Sequence, residues 1–224
     1  MKEIIGAAPV AGQFACHPLT KERWRDFAEL FGARGACGGC WCMFWRLPRK
    51  QFTAQKGDGN RRAMQALVET GEVPGLLGYL DGRPVGWCSV APREQFPALA
   101  RSRVLAPIDD QSCWSVSCLF VHRSYRNRGV ATLLLGAAVD YVRGKGVPFL
   151  EGYPVEPRAG KTIAAAFAWT GIPKAFTANG FVEAARRSPT RPIMRFAFGA
   201  GTARMPVGAN FSFYPLPGPK NAAK

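Results

Sequence analysis

The chain has 224 residues, of which 47% are hydrophobic and 20% are charged, a composition that is typical of a globular enzyme and excludes an intrinsically disordered chain. The 30 Lys and Arg residues outnumber the 15 Asp and Glu residues, and the formal net charge is +15. This positive balance favours polyanionic ligands, nucleic acid among them, and disfavours a polycationic substrate, which requires an acidic pocket.

No apolar run reaches the about 18 residues that a membrane span requires, so we expect no membrane partner. The first residues carry an acid, Glu3, where a secretory signal is basic. The seven cysteines are odd in number, which fits free thiols better than a disulfide framework. Together these features predict a cytoplasmic protein.

The first 74 residues are predicted to be helical. Apolar residues at helical spacing predict a helix over residues 20–31, with Thr20 as its N-cap, and a second helix over residues 60–69. Between them lies a glycine-bent, tryptophan-rich segment that contains Cys37-x-x-Cys40-x-Cys42. The segment has half of a zinc-binding pattern.

Residues 75–198 alternate between strand and helix patterns. Asp81-Gly82 between two apolar runs, 75–80 and 84–90, is a strong signal for a tight hairpin. The other predicted elements are a helical turn at 96–99, strands at 114–121, 147–153, 181–185 and 191–198, and helices at 130–142 and 172–179. We expect one domain over residues 1–198, and a basic Gly/Pro-rich tail over residues 199–224 that cannot bury enough apolar surface to fold alone.

A basic loop follows the strand predicted at 114–121. It carries the pattern Arg126-x-x-Gly129-x-Ala131 and leads directly into the helix predicted at 130–142. Small residues let the backbone approach a ligand closely, and the first N–H groups of a helix have no partner inside the helix. Such a helix terminus, flanked by Arg123 and Arg128, predicts a binding site for a pyrophosphate group.

This stretch resembles the acyl-coenzyme A-binding motif of the GNAT superfamily of N-acyltransferases, (Arg/Gln)-x-x-Gly-x-(Gly/Ala). The run Val121-His-Arg-Ser-Tyr-Arg126 is similar to the family's "V-x-P-x-Y-R", with Arg123 in place of proline. A later run, 174–181, is similar to the family's "Tyr-x-x-x-Gly-Phe" element. The resemblance covers residues 75–198 well and the first 74 residues loosely.

The resemblance implies an α/β fold in which helices flank a central mixed β-sheet. It also implies that the protein is a transferase that uses acetyl-coenzyme A as co-substrate and acetylates a primary amine, small-molecule or peptide, by direct attack. In the family the pantetheine arm pairs with the strand before the loop, and the loop binds the pyrophosphate. The residues assigned to the coenzyme in this way are Leu119, Phe120, Val121, Arg126, Asn127, Arg128, Gly129, Val130, Ala131 and Thr132.

The catalytic groups are less well specified. Family members often have a tyrosine as general acid four residues before the glycine of the "Gly-Phe" pair, and Phe176 occupies that position here. Tyr153 and Cys118 are the alternative acids. Glu151 is the candidate general base, since a partly desolvated carboxylate can have a raised pKa.

The cysteine-rich segment has two interpretations. A tetrahedral zinc site needs a fourth ligand, and the sequence offers no second CxxC and no His-x₃-His, so we predict no metal site. In the family this early region shapes acceptor specificity, which predicts that aromatic residues near Cys40 line the acceptor pocket. Arg46 is then a candidate to meet an acceptor carboxylate.

Two other functions fit parts of the sequence. Phe176 at the position of the usual acid fits an acyl-coenzyme A-binding or regulatory protein without catalysis. The net charge fits a nucleic acid-associated protein, an interpretation that we do not favour. Exposed strand edges and the tail make a homodimer possible.

Overall fold

Seven strands form one mixed sheet in the computed structural model, which describes residues 12–158, 163–164 and 167–199. The order across the sheet is β1-β2-β3-β4-β5-β7-β6, and every neighbouring pair is antiparallel except β4 and β5. The strands are β1 (Phe14–Pro18), β2 (Leu76–Leu80), β3 (Arg83–Pro92), β4 (Cys113–Val121), β5 (Phe149–Gly152), β6 (Val182–Arg186) and β7 (Pro192–Ala197). This sheet confirms the predicted α/β fold class.

Helices cover both faces of the sheet. They are α1 (Trp24–Phe31), α2 (Arg49–Ala54), α3 (Asp58–Glu69), α4 (Pro97–Ala100), α5 (Val130–Arg143) and α6 (Pro173–Thr177). No helix in the described part of the chain has the length and apolar character needed to cross a membrane.

The two faces of the sheet belong to different apolar clusters. The α5 side chains Val130, Leu134 and Leu135 pack with Leu76 of β2 on one face. Side chains of α1 and α3 pack with Leu77, the next residue along β2, on the other face. Successive residues of a strand point to opposite faces of the sheet. The continuous apolar run of β2 therefore contributes side chains to the apolar clusters on both faces.

The hairpin and the strand–loop–helix unit follow their local sequence signals closely. Asp81 and Gly82 have φ values of 47° and 77°, the left-handed pair that a tight hairpin turn requires. The helix after the basic loop runs from Val130 to Arg143, and its apolar stripe is buried as predicted. The predictions in this half of the chain differ from the structure by only a few residues at the element ends.

The first 74 residues are not simply helical, and this prediction needs correction. Strand β1 was missed because it has only five residues, and α2 has only six. Thr20 makes no side-chain cap; a single 3₁₀ turn, Lys21–Arg23, precedes α1. The predicted tail, 199–224, lies outside the described residues except for Gly199, and the domain boundaries stay a prediction.

Candidate functional site

The central parallel pair of strands separates along its length. Strand β4 pairs with β5 only from Cys113 to Val116, because β5 ends at Gly152 while β4 continues to Val121. On its other side β4 remains paired with β3 as far as Val121. The second half of β4 therefore presents one free edge to a gap in the sheet, where an extended ligand can pair with the backbone.

Backbone groups of β4 alternate between β3 and this gap. The N–H of His122 donates to the Val85 carbonyl at 2.9 Å, on the β3 side. The N–H of Leu119 points the other way and donates to the Trp169 carbonyl at 2.6 Å. By the same alternation the Val121 N–H points into the gap. Of the three strand residues predicted to hold the coenzyme, Leu119 thus has a partner inside the protein, Phe120 faces β3, and Val121 faces the gap.

The basic loop joins the end of β4 to α5. Asn127 has a φ of 60° and Gly129 a φ of 86°, and Gly129 is the N-cap of the helix. The N–H groups of Thr132 and Leu133 already donate to the Gly129 carbonyl. The helix supplies no partner for the N–H groups of Val130 and Ala131, which precede them. This geometry fits a pyrophosphate, as the sequence predicts.

The arginines around the loop have different contacts. Arg126 folds back, and its Nε donates to the Val121 carbonyl at 3.0 Å, so it closes the loop against the strand. Arg123 and Arg128 are exposed. A Cβ atom at Gly129 would meet nothing within 4 Å. The loop therefore leaves open space and positive charge in front of the helix terminus.

A pocket of about 340 Å³ lies beside the free edge of β4, and its wall is aromatic and rich in cysteine. Among its rings, Trp169 lies 5.3 Å from Phe44 and 5.9 Å from Trp45. The two cations in its wall are Arg49 and Lys56. The full lining is Phe31, Ala36, Cys37, Gly38, Cys40, Cys42, Phe44, Trp45, Arg49, Phe52, Thr53, Lys56, Cys118, Leu119, Phe120 and Trp169, and it contains no carboxylate.

A larger depression, of about 580 Å³, lies between α2 and α3. Its lining runs from Ala54 to Ala63, and its exposed surface is mostly polar. Its lining includes no residue of β4 or of the basic loop. We consider the smaller pocket the candidate site, because only that pocket touches the β4 edge at Leu119.

The cysteine-rich segment is a tight turn that forms part of the pocket wall. Residues Gly35–Gly39 make the turn, and Ala36, with a φ of 65°, is unusual for a residue with a side chain. The Asn60 amide of α3 donates to the Gly39 carbonyl at 3.0 Å and fixes the turn. The described residues include no group of three or more His, Cys, Asp or Glu side chains arranged to hold a metal ion.

Two cysteines meet inside the pocket wall. The thiols of Cys42 and Cys118 share a side-chain hydrogen bond, which lowers the pKa of Cys42 to about 7 and raises that of Cys118. The Trp87 indole N–H also donates to the Cys42 sulfur, at 3.2 Å. The contact therefore shifts the pKa values of the two thiols in opposite directions, and Cys118, a predicted general acid, is the thiol whose pKa is raised.

Glu151 and Tyr153, the other predicted catalytic residues, lie together but do not line the pocket. Glu151 is only 1% exposed and pairs with Arg93 at 2.9 Å and Arg195 at 2.6 Å. The Tyr153 hydroxyl donates to Glu151 at 2.9 Å and also contacts Ser115 and Arg93. Burial and the neighbouring carboxylate raise the pKa of Tyr153 well above its ordinary value. Their catalytic roles stay predictions, and these contacts give both residues a structural role.

Phe176 is fully buried and packs against backbone. A Cβ atom on Gly152 would lie 2.0 Å from the ring, and one on Gly171 would lie 2.8 Å from it. The Phe181 ring meets it edge-on at 5.2 Å. The ring therefore fills the space where β5 ends, and it offers no proton.

Arg46 has other partners than the predicted acceptor carboxylate. Its guanidinium donates to Gln95 at 2.9 Å and to the Pro74 carbonyl at 3.1 Å, and it lies over the Phe96 ring. It is buried and does not line the pocket. Sequence reasoning instead missed Arg49, Lys56 and Trp169, which no local pattern marks as pocket residues.

Comparison with known proteins gives the family. No curated protein sequence matches this chain. A solved acetyltransferase of the GNAT family from Listeria monocytogenes is 11% identical, with a TM-score of 0.52, over 85% of this chain and 98% of that one; at this identity the likeness shows the fold alone. A GNAT-family acetyltransferase from Bacillus cereus is 13% identical over 84% of this chain and 100% of that one, with a TM-score of 0.49. The PaiA N-acetyltransferase from Thermoplasma acidophilum, solved with coenzyme A, is 12% identical over 83% and 99%, with a TM-score of 0.46.

The model of the acetyltransferase (GNAT) family matches residues 41–159, more than half of the chain. The match includes the free edge of β4, the basic loop and α5. It therefore agrees with the resemblance found in the sequence. This protein belongs to the GNAT family of acetyltransferases, enzymes that take their acyl group from acetyl-coenzyme A.

Proposed function

We propose that this enzyme transfers an acetyl group from acetyl-coenzyme A to the primary amine of an aromatic or bulky apolar acceptor that carries an anionic group, by direct attack. The observation that carries this proposal is the meeting point at Leu119. This residue lies in the second half of β4, beyond the pairing with β5 and towards the basic loop, and it also belongs to the wall of the aromatic pocket. Two ligands approaching from these sides would meet there.

The residues on the coenzyme side fit its chemistry. The N–H groups of Val130 and Ala131 and the side chains of Arg123 and Arg128 are the groups that would hold the pyrophosphate. The Val121 backbone would pair with the pantetheine arm. When bound, the coenzyme supplies an acetyl thioester, whose carbon is open to attack by a neutral amine. A backbone N–H of β4 directed at the thioester oxygen would stabilise the charge that develops there.

The acceptor class follows from the pocket wall. Six aromatic rings favour a flat or bulky apolar body. Arg49 and Lys56 favour an anionic substituent, and the absence of a carboxylate from the lining disfavours a polycation. The buried Trp45 indole N–H has no hydrogen-bond partner in the described part of the chain, and it can donate to an acceptor oxygen.

Proton transfer in the pocket is assigned to Cys118. Cys118 lines the pocket next to Leu119, where the leaving thiolate would form, and its thiol carries a proton that it can give to that thiolate. Glu151 and Tyr153 remain the alternatives that the sequence predicts as base and acid. Their ion-pair network makes them weaker candidates, because both oxygens of the carboxylate already accept hydrogen bonds.

The coenzyme site is tested by calorimetry with acetyl-coenzyme A on the wild type and on Gly129→Glu. The matched control is Gly146→Glu, since Gly146 at the other end of α5 also has a positive φ and open space around its Cβ position. Both variants place a side chain at a positive φ and add the same negative charge. We expect binding to be lost in Gly129→Glu alone. No binding to the wild type, or equal loss in both folded variants, would refute the assignment.

The acceptor class is tested by mass spectrometry of the products from a panel of amines. We expect acetylation of aromatic amino acids and arylalkylamines that carry a carboxylate, and none of polyamines. Charge reversal at Arg49 should reduce turnover of the anionic acceptors more than that of their neutral analogues. Turnover restricted to polyamines would refute the proposed class.

Coenzyme binding without turnover of any amine would favour the non-catalytic alternative, for which Phe176 is the observation.

Association with nucleic acid rests on the net charge of +15. It predicts binding that weakens steeply as the salt concentration rises. A homodimer also stays a prediction, and sedimentation would test it.

A further inference from the structure

Cys42 and Cys118 form a pair of thiols, and the proposed acetyl transfer uses only the Cys118 thiol. Cys42 belongs to the segment between the Gly35–Gly39 turn and α2, and Cys118 belongs to β4. Both line the pocket, although they are far apart in the sequence. The Cys42 sulfur accepts a hydrogen bond from the indole N–H of Trp87 at 3.2 Å, and Cys118 lies directly opposite Ser89, two residues after Trp87 on β3. The two side chains therefore meet on the same face of the sheet, where they interact with each other.

The backbone that presents Cys42 is strained. Trp41 has a φ of 43° and Cys42 a φ of 61°, two consecutive residues with side chains in the left-handed region. Each such residue costs on the order of 1–3 kcal/mol, so the surrounding structure must hold them. The Trp41 ring stacks with Phe31 at 5.7 Å, and its indole lies against Gly35, where a Cβ atom would be 2.3 Å away. This packing stabilises the conformation that directs the Cys42 sulfur towards β3 and β4.

The groups around the Cys42 sulfur favour its thiolate. Hydrogen bonds from Cys118, Ser89 and Trp87, together with the positive charge of Arg46, lower its pKa to about 7, although burial acts in the opposite direction. Ser117 donates to Ser89 at 3.0 Å, which leaves the Ser89 hydroxyl hydrogen free for sulfur. The other ionisable neighbours are thiols, Cys40 and Cys88, which interact with this pair.

The remaining described cysteines differ from this pair. Cys16, Cys88 and Cys113 are buried outside the pocket wall, and burial raises the pKa of each above its ordinary value. Cys37 is exposed, and Cys40 is partly buried with a raised pKa. Of the four cysteines that line the pocket, Cys42 has a lowered pKa, and its side chain interacts with that of Cys118.

We propose that Cys42 and Cys118 form an oxidation site in which a peroxide converts the pair to a disulfide. The Cys42 thiolate attacks a peroxide oxygen, the O–O bond breaks, and hydroxide (or alkoxide) leaves, giving a sulfenic acid on Cys42. The Cys118 sulfur then attacks the Cys42 sulfur. The S–O bond breaks, and the leaving hydroxide takes the Cys118 proton and departs as water. The two electrons that reduce the peroxide come from the two sulfur atoms.

The disulfide would connect the pocket segment to β4 immediately before Leu119. If the proposed function is correct, the bond removes Cys118 from proton transfer and fixes the wall where coenzyme and acceptor meet. The oxidised enzyme should then lose acetyl transfer and regain it with a dithiol reductant. This consequence rests on the proposed function, whereas the oxidation itself does not.

The test is peptide mapping of the full chain after treatment with stoichiometric hydrogen peroxide and alkylation. We expect the intact protein to lose the mass of two hydrogen atoms and to yield a Cys42–Cys118 linked peptide. Cys118→Ser should instead accumulate a sulfenic acid on Cys42 that dimedone traps. The control Cys113→Ser should form the Cys42–Cys118 disulfide as the wild type does.

Two results would overturn the proposal: a peroxide-treated wild type without a Cys42–Cys118 link, or one in which Cys37–Cys40 is the only link. Because both results are read from the wild type, a variant that fails to fold does not change them. The rate of Cys42 alkylation by iodoacetamide should also rise through about pH 7, and Trp87→Phe should move this inflection upward. None of these measurements uses acetyl-coenzyme A, so their failure is distinguishable from failure of the proposed function.

Discussion

The buried charge network around Glu151 gives the sharpest stability prediction. Glu151 lies in the middle of the sheet on β5, and its carboxylate joins Arg93, which follows β3, to Arg195 of β7. The two arginine side chains are 11% and 12% exposed. Replacing Glu151 with alanine would leave both cations partly buried without their shared anion.

The expected loss of unfolding free energy depends on which contacts each arginine retains in the alanine variant. Breaking a buried ion pair by removing one partner typically costs about 3–5 kcal/mol. Arg195 would keep its contact with Asp109, and Arg93 would keep the Leu105 carbonyl. We therefore expect a loss near the lower limit, about 3 kcal/mol of the unfolding free energy. That is a large part of the about 5–15 kcal/mol typical of a folded domain.

Urea denaturation followed by circular dichroism measures this loss. The matched control is Glu183→Ala, which removes the same charge from β6, where the pair with Arg186 is on the surface. We expect a far smaller effect there, because solvent screens exposed ion pairs. Equal midpoints for Glu151→Ala and the wild type would refute the structural role of Glu151. The variant Glu151→Gln distinguishes a catalytic role of Glu151 from its structural role. A folded variant that binds coenzyme but has lost turnover would support Glu151 as the general base.

Two further predictions concern packing and pH. Gly152→Ala should reduce the unfolding free energy by about 1–3 kcal/mol, because the new Cβ would lie 2.0 Å from the Phe176 ring. The control is Gly199→Ala, where an added Cβ atom would meet no atom within 4 Å. Equal urea midpoints for the two variants would contradict the reasoning. Burial raises the pKa of Cys16 to about 12 from an ordinary value of 9.0. The unfolded thiol therefore releases its proton first, so stability is complete below about pH 9 and falls as the pH rises towards about 12. As the pH rises, the urea midpoint of Cys16→Ala should fall less steeply than that of the wild type. Identical dependence of the two midpoints on pH would contradict the raised pKa of Cys16.

The sequence determined the parts of this protein that depend on neighbours along the chain. The Asp81-Gly82 turn has the residues that a left-handed pair of φ values requires. The helical spacing of apolar residues predicted α5. The resemblance of the basic loop to a known family motif predicted the family, and the family model confirms it. The sequence did not predict the short strand β1, because five residues give too little periodicity to recognise.

Only the tertiary structure decided which side chains meet. Glu151 had the sequence pattern of a candidate base, yet two arginines from distant segments enclose it. Cys42 had the pattern of half a metal site, but its partner is Cys118 on a different element. Such contacts depend on where the sheet brings remote strands together and on which face each residue occupies, and no local pattern records either. The sequence therefore determined the strand–loop–helix unit and the family, and the tertiary structure decided which residues line the pocket.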